Sequence, residues 1–291
     1  MPMLVRENQS HFIKARVSTN NILLANEPLF LTRNRGGLKF FCVKLDIRKA
    51  FDNVSREFLL VRLIQKGFPN IVVNWIKACI TNVNFSLVIN GALQGYFPTS
   101  AGLRQRCPLS PYLFCLVMDA LSSLLDDGEF KGITLDGFTI THLLYTYVLI
   151  FGEAAIENCN KLTTILHSFS NASGLHVNYD NSTLMLPRNI SNSTSICQAL
   201  SIPTISSKIV YLGIPLSFIR LKIVDFMPLM DNTTKKLFGW KANLLSFAGR
   251  LQFLRYTILN SIAYWIRGSI FPKLFLNSLR NLALSFFFFF W

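Results

Sequence analysis

The sequence is poor in acidic residues. Its 291 residues include 15 Asp and Glu against 29 Lys and Arg, which gives a formal net charge of +14 at pH 7. A positive surplus of this size favours a polyanionic partner, with nucleic acid first and an anionic membrane surface second. The alternative is a basic protein without such a partner, and composition alone weights the two equally.

Long apolar runs are also missing, although the mean hydropathy of +0.37 is high. A membrane-spanning helix needs about 20 consecutive apolar residues. The run from Thr257 to Ile266 ends at Arg267, and the run from Asn281 to Trp291 is too short. The N-terminus has no apolar signal segment. We therefore expect no membrane span and an intracellular location, nuclear or cytoplasmic, rather than secretion.

Paired cysteines are the third absence. None of the six cysteines has CxxC spacing, which argues against a zinc site. We expect buried free thiols in a reducing compartment. The six are Cys42, Cys79, Cys107, Cys115, Cys159 and Cys197.

The apolar patterns that are present predict an α+β chain. Lys39 to Ile47 is a continuous apolar run, typical of a strand buried on both faces. Ser55 can cap the helix that follows, and Asn90-Gly91 indicates a hairpin turn. Further helices are predicted at 20–30, 71–81, 112–125, 154–169 and from 224 onward, further strands at 175–186 and 209–216, and a loop or short helix at 187–207. Residues 142–151 are predicted to form a hairpin of two short strands around Tyr145-Thr146-Tyr147.

Asp46 stands near the end of the predicted strand Lys39 to Ile47. A carboxylate is costly there unless it is paired or bound to a cation. One interpretation is a metal ligand, and the other is a cap or a salt bridge to Arg48 or Lys49. Spacing alone favours the structural interpretation. Two-metal chemistry needs several anionic oxygens, so it would require an acidic pair on an adjacent strand, for which a hairpin turn is a natural place.

Six segments occur in an order that resembles the reverse transcriptase of plant-type non-LTR (LINE-type) retrotransposons. Each segment alone is a weak signal, but six in the right order are highly specific. The segments begin at Glu7-Asn-Gln-Ser-His-Phe-Ile-Lys-Ala-Arg16, Val43-Lys-Leu-Asp-Ile-Arg-Lys-Ala-Phe-Asp52, Gly102-Leu-Arg-Gln105, Ser173-Gly-Leu175, Tyr211-Leu-Gly-Ile-Pro215 and Trp240-Lys-Ala242.

The resemblance implies a right-hand polymerase palm, an antiparallel sheet with packed helices, together with partial fingers and an α-helical thumb. Residues 1–38 would be the partial fingers, 39–220 the palm and 221–291 the helical thumb or connection. It also implies Mg²⁺ as cofactor and an RNA or DNA template-primer as partner. The sequence indicates no protein partner.

The resemblance assigns roles around the incoming nucleotide. Asp46 would be a catalytic magnesium ligand, and the neighbouring Ile47 would offer its backbone carbonyl. Phe51 would lie under the sugar and select deoxynucleotides by crowding a 2′-OH. Gln105 would lie at the pair of template base and nucleotide.

Nucleic-acid contacts are assigned in the same way. Tyr211 and Gly213 would belong to the primer grip. Arg16 and the basic thumb, with Lys241 and Arg250, would hold phosphates through sequence-independent electrostatics.

The predicted hairpin departs from the family pattern at the turn, where the family has its acidic metal ligands. Residues 142–151 read His-Leu-Leu-Tyr-Thr-Tyr-Val-Leu-Ile-Phe. The family hairpin reads His-Leu-Leu-Phe-Ala-Asp-Asp-Val-Leu-Ile-Phe. Here the turn is Tyr145-Thr146-Tyr147, which is one residue shorter and lacks both aspartates. Asp136 and Glu153 are the nearest acids along the chain, several residues away.

Other departures point the same way. Arg106-Cys107 replaces a usual Gly-Asp, Asn181 replaces a lysine thought to protonate the leaving pyrophosphate, and Ala15 replaces a glycine. We therefore expect a truncated and degenerate copy, in which Asp46 is vestigial, Mg²⁺ is not productively bound and polymerase activity is lost. The alternative function is a non-catalytic protein that binds nucleic acid through the basic groove.

Overall fold

The computed structural model describes residues 3–35, 39–135, 137–239 and 244–288. The chain forms two compact units. The first unit comprises Met1–Ser18 and Gly37–Ser206, and the second comprises Thr19–Gly36 and Ser207–Trp291. The division into fingers, palm and thumb stays a prediction.

The described chain contains both helices and antiparallel strands, often in runs of one kind, which confirms the predicted α+β class. The helices are α1 (Ser18–Arg35), α2 (Arg56–Gln65), α3 (Asn70–Ile80), α4 (Ser110–Asp127), α5 (Ile156–Ser173), α6 (Ser193–Leu200), α7 (Met227–Leu237), α8 (Phe247–Phe253), α9 (Leu259–Gly268) and α10 (Lys273–Phe288). The strands are β1 (Phe40–Ile47), β2 (Asn84–Ile89), β3 (Ala92–Pro98), β4 (Ile133–Leu135), β5 (Phe138–Ile140), β6 (His142–Leu144), β7 (Val148–Glu153), β8 (Val177–Met185), β9 (Lys208–Tyr211) and β10 (Ile214–Ser217).

The first unit is built on a four-stranded sheet with the order β6-β7-β1-β8. Strand β1 pairs antiparallel with β7 on one side and with β8 on the other. Because side chains alternate along a strand, Phe41, Val43 and Leu45 share one face. They are buried in the same core as residues of α2, α4 and α5. The other face of β1 carries Lys44 and Asp46 at its C-terminal end.

Local signals in the sequence explain two of the boundaries. The Ser55 side chain accepts a hydrogen bond from the Phe58 N–H (3.2 Å), which caps α2 as predicted. Asn90 and Gly91 have φ values of 52° and 82°, as the two centre positions of a type I′ turn require. The hairpin of β2 and β3 is thereby confirmed.

The second unit contains α1, the hairpin β9–β10 and the C-terminal helices. The prediction of one strand over 209–216 is wrong, because the chain turns back on itself at Leu212 and Gly213, whose φ values are 50° and 81°. A non-glycine residue in the left-handed region is uncommon. Leucine at position 212 therefore gave no sequence signal for a turn. Helices from residue 227 onward confirm the predicted helical C-terminal segment.

The cysteines are all free, and they differ in burial. Cys42, Cys115 and Cys159 are buried as predicted, whereas Cys79 is exposed, so the prediction is wrong for that thiol. Among the residues that the structure describes, no helix has both the length and the apolarity to cross a bilayer.

Candidate functional site

Asp46 lies at the C-terminal end of β1, next to an irregular stretch of β8. Lys44 pairs with Thr183, but Asp46 pairs with Asn178, so four residues of β8 stand opposite Leu45 alone. Such a bulge bends a strand and redirects its side chains. Here it brings Asn178, Asn181 and Ser182 to Asp46.

Amide and hydroxyl groups from this bulge surround Asp46. The Nδ2 atoms of Asn178 and Asn181 lie 3.3 and 3.4 Å from Asp46 Oδ2 and donate to it. The Asp46 N–H donates to Ser182 Oγ at 3.2 Å. Long, weak hydrogen bonds from neutral donors therefore satisfy one carboxylate oxygen.

The turn between β6 and β7 adjoins the same end of β1, because Leu45 pairs with Val148. The Tyr145 N–H donates to the Tyr147 carbonyl at 3.2 Å and closes the turn. Lys44 Nζ lies 3.8 Å from the centre of the Tyr147 ring, which is a cation–π contact. Burial lowers the pKa of Lys44, and the Asp46 charge acts in the opposite direction.

The two acids nearest in sequence do not complete an acidic pair. Glu153 pairs with Phe40, at the opposite end of β1 from Asp46. Six residues of strand separate those ends, which corresponds to about 20 Å. Asp136 lies outside the described residues.

The segments that carry Phe51 and Gln105 are in contact, although they are far apart in sequence. The Leu103 N–H donates to the Phe51 carbonyl at 2.7 Å, and Gln105 Nε2 donates to Asp52 Oδ1 at 2.9 Å. A Cβ on Gly102 would lie 2.4 Å from the Asp52 carbonyl oxygen, so only glycine permits this approach. The Phe51 ring stacks on Phe114 with centroids 4.9 Å apart. Ile47, half-buried, ends the strand.

A pocket of 720 Å³ adjoins this contact and includes Asp52 and Gln105 in its lining. The Arg56 guanidinium holds one wall in place by donating to the carbonyls of Thr99, Ala101 and Gly102. The Arg56 side chain therefore holds the backbone of the segment that leads to Gln105.

The residues predicted to bind nucleic acid have different environments. Arg16 donates to the carbonyls of Val5, Arg6 and Gln9, which ties down the N-terminal segment. Tyr211 is fully buried, and its hydroxyl accepts from Asn21 Nδ2 at 3.4 Å. Gly213 forms the exposed β9–β10 turn.

Arg250 is only 6% exposed. It donates to the carbonyls of Leu245 and Phe286 and lies against the Phe286 ring. The Arg250 guanidinium group therefore donates to backbone carbonyls of the helical segment in this conformation, not to a phosphate. Lys241 lies outside the described residues.

Sequence reasoning gave no role to Lys44, Asn178 or Ser182, all of which touch the site. The available signal was the polar run Asn178-Tyr-Asp-Asn-Ser182, which interrupts the apolar alternation of a predicted strand. Lys44 alternates with Asp46 along β1 and therefore shares its face.

An antiparallel sheet packed against helices, with an aspartate at the end of a central strand beside a hairpin turn, is typical of a polymerase-like fold. Residues 2–216 match the family model described as reverse transcriptase (RNA-dependent DNA polymerase). The chain therefore belongs to the reverse transcriptase family.

Its relatives include non-LTR retrotransposon proteins. It is 25% identical over 272 residues to the transposon TX1 uncharacterized 149 kDa protein of Xenopus laevis, covering 90% of this chain and 20% of the relative. It is 30% identical over 145 residues to a retrovirus-related Pol polyprotein from the retrotransposable element R2 of Popillia japonica, covering 50% and 24%. An uncharacterized mitochondrial protein of Arabidopsis thaliana is 45% identical over 64 residues, covering 20% and 52%. The chain thus spans a fifth to a half of these relatives.

Solved structures support the fold. Telomerase from Candida tropicalis, in complex with a TWJ fragment of telomeric RNA, has a TM-score of 0.52 at 13% identity, covering 96% of this chain and 47% of that one. The apo form of the same telomerase has a TM-score of 0.52 at 10% identity, covering 96% and 51%. Such similarity extends to the fold alone.

Reverse transcriptases generally use divalent metal ions. Mg²⁺ prefers carboxylate oxygens in octahedral geometry, and a two-metal site needs several of them. Around Asp46 the neighbours are two amide donors and an ammonium group. Over the described ranges, no cluster of three or more His, Cys, Asp or Glu can hold a metal ion. This donor set does not fit a magnesium pair.

Proposed function

We propose that this chain is a reverse transcriptase domain that has lost polymerase chemistry and keeps a role in nucleic-acid binding. The observation that carries the proposal is the neutral and cationic surroundings of Asp46. A carboxylate that accepts from Asn178 and Asn181, with Lys44 on the same face, has partners other than a metal ion. Asn181 stands where the family has its lysine and cannot supply a proton.

Two further positions support descent from an active enzyme. Ala15 and Arg106 stand where the family usually has glycine, and their φ values are 70° and 61°. An L-residue in the left-handed region costs about 1–2 kcal/mol. The backbone at both positions keeps the left-handed conformation that suits glycine, although the residues now present carry side chains that disfavour it.

The finer assignment, to plant LINE-type elements, is also a proposal. It is supported by the order of the six sequence segments and by the 45% identity to the Arabidopsis protein over 64 residues. The assigned roles of Ile47, Phe51, Gln105, Tyr211 and Gly213 belong to the same proposal.

The purified chain is expected to show no primer extension on a poly(rA) template with oligo(dT), with either Mg²⁺ or Mn²⁺. Two-metal stabilisation contributes several kcal/mol to phosphoryl transfer, and each 1.36 kcal/mol is about tenfold in rate. An active reverse transcriptase assayed in parallel provides the positive control. Robust, template-dependent extension would refute the loss of chemistry.

A metal-binding measurement distinguishes a protein that has no metal site from an enzyme that binds the metal but reacts slowly. In titrations followed by electron paramagnetic resonance, the native chain should leave Mn²⁺ free. A variant in which Ala-Asp-Asp replaces Thr146-Tyr147 should bind the ion, because it restores the acidic pair beside Asp46. Stoichiometric Mn²⁺ binding by the native chain that Asp46→Asn abolishes would contradict the proposal.

Ala15→Gly and Arg106→Gly should each stabilise the first unit by about 0.5–1 kcal/mol. Glycine removes the left-handed penalty but adds about 0.5–1 kcal/mol of backbone entropy on folding. Both positions are exposed, so little packing is lost. The free energy of unfolding in urea measures the effect.

The control is Ala172→Gly on the exposed side of α5, where glycine should destabilise. If the two left-handed positions respond like Ala172, the inference of vestigial glycine sites is wrong.

A further inference from the structure

A pocket of 940 Å³ lies within the second unit and is lined by residues of α1, of the segment after β10 and of the end of α9. It is separate from Asp46 and from the pocket beside Gln105. Its volume is at the upper end of the range for ligand sites.

The pocket carries excess positive charge. Arg33, Arg220 and Arg267 line it, against one acid, Glu27. Within the part of the chain that the structure describes, none of the three guanidinium groups has a carboxylate partner. Burial lowers the pKa of Arg33, whose Nε donates to the Leu29 carbonyl. Unpaired guanidinium groups at a concave surface suit phosphate oxygens, which they bind in a bidentate manner.

Apolar and aromatic side chains form the rest of the lining. Phe30 is 42% exposed, and the Arg33 guanidinium carbon lies 5.9 Å from its ring centre. Leu23 and Ile270 are also exposed. An exposed aromatic ring beside a guanidinium group provides a stacking surface for a planar, electron-rich ring.

The walls are held together before any ligand binds. Asn26 Nδ2 donates to the carbonyl of Ile22 within α1 and to that of Gly268 at the end of α9. A Cβ on Gly268 would lie 2.4 Å from Ile22 Cγ2 and 2.7 Å from Ile214 Cδ1. The close approach of these segments fixes the pocket's shape, and preorganisation reduces the entropy lost on binding.

We propose that this pocket binds a segment of single-stranded nucleic acid, with backbone phosphates on Arg220 and Arg267 and one base stacked on Phe30. A duplex does not fit this description, because its bases are stacked on each other and cannot reach Phe30. The inference rests on the proposed nucleic-acid binding and assigns it to one site.

Fluorescence anisotropy with a labelled single-stranded 10-mer of mixed sequence tests both the proposed nucleic-acid binding and its assignment to this pocket. The native chain should lose at least about sevenfold in affinity between 50 and 200 mM salt, because each of the two phosphate contacts releases counterions. Arg220→Gln with Arg267→Gln should weaken binding at low salt and reduce the slope of log K against log salt by about 1.4, which is 0.7 for each lost contact.

The matched control is Arg255→Gln with Arg280→Gln. These exposed residues of the same unit remove the same charge outside the pocket, and we expect less than about a threefold change. Phe30→Ala should weaken binding of the 10-mer about tenfold and leave binding of an abasic 10-mer unchanged. Circular dichroism confirms that each variant folds.

The outcomes are distinguishable. A native chain that does not bind the 10-mer, or binds it equally at both salt concentrations, refutes the proposed nucleic-acid binding. Native binding that both double variants weaken equally refutes only the pocket assignment and indicates diffuse electrostatics. If Arg220→Gln with Arg267→Gln abolishes binding to phosphatidylserine vesicles but not to the 10-mer, the pocket is instead a lipid site and the inference is overturned.

Discussion

Replacing Asp119 with alanine is expected to lower the free energy of unfolding of the first unit by about 3–5 kcal/mol. The Asp119 side chain on α4 is 0% exposed and joins three segments. It accepts from Arg62 at 2.9 Å, from Lys66 Nζ at 2.6 Å and from the Arg6 N–H at 2.9 Å. Burial alone would raise the pKa of Asp119, but hydrogen bonds from Lys66 and Arg6 outweigh it and hold the pKa below its usual range.

The large effect follows from what remains after the substitution. Arg62 and Lys66 are mostly buried, and without Asp119 they would repel each other with no carboxylate between them. Arg62 would keep only the neutral acceptors Gln65 Oε1 and Ser123 Oγ. Removing one partner of a buried ion pair is far more costly than the pair's net contribution. Arg62→Met should therefore destabilise much less, because Lys66 still neutralises Asp119.

All six cysteines lie in the first unit, so thiol labelling in urea follows that unit alone. The buried thiols Cys42, Cys115 and Cys159 report its unfolding. Glu157→Ala, which breaks an exposed pair with Lys161, should leave the labelling midpoint nearly unchanged. If Asp119→Ala behaves like Glu157→Ala, the ion cluster has no structural importance.

Much of the fold could be predicted from sequence because its signals are local. The apolar run of β1, the Ser55 cap and the Asn90-Gly91 turn each depend on a few neighbouring residues. The β9–β10 hairpin was missed because Leu212 occupies a conformation that its residue type rarely adopts.

The candidate site was predictable only in part. The loss of both hairpin aspartates is visible in Tyr145-Thr146-Tyr147. The partners of Asp46 were not visible, because Asn178 and Asn181 lie 132 and 135 residues away and reach it only through the β8 bulge. The Asp119 cluster depends in the same way on Arg6, 113 residues distant.

Acidification from pH 6.5 to pH 4 is expected to remove about 3 kcal/mol of stability through His142 alone. The ring is 0% exposed, and burial lowers its pKa from 6.5 to about 4, with Arg6 acting in the same direction and Asp126 and Asp119 opposing. Its nitrogens are hydrogen-bonded to Thr141 Oγ1 and Ser122 Oγ, both at 2.8 Å.

The direction of the pH dependence follows from the protonation form of His142 that each state favours. The folded state keeps His142 neutral, whereas the unfolded chain takes up a proton below pH 6.5. The contribution of His142 is therefore complete above pH 6.5 and is lost as the pH falls towards 4. Each pKa unit corresponds to about 1.4 kcal/mol, so the difference between 6.5 and about 4 amounts to about 3.5 kcal/mol in full, of which about 3 kcal/mol is lost by pH 4.

Urea unfolding at pH 7, 6, 5 and 4 measures the loss, and His142→Gln isolates it. Burial also lowers the pKa of His11, but that contribution is present in both proteins and cancels in their difference. The variant is expected to be less stable at pH 7 and to lose less stability on acidification, so the two curves converge towards pH 4. Parallel curves would mean that His142 is protonated in the folded state, and that an imidazolium with Asp126 3.6 Å from Nδ1 is tolerated in this core.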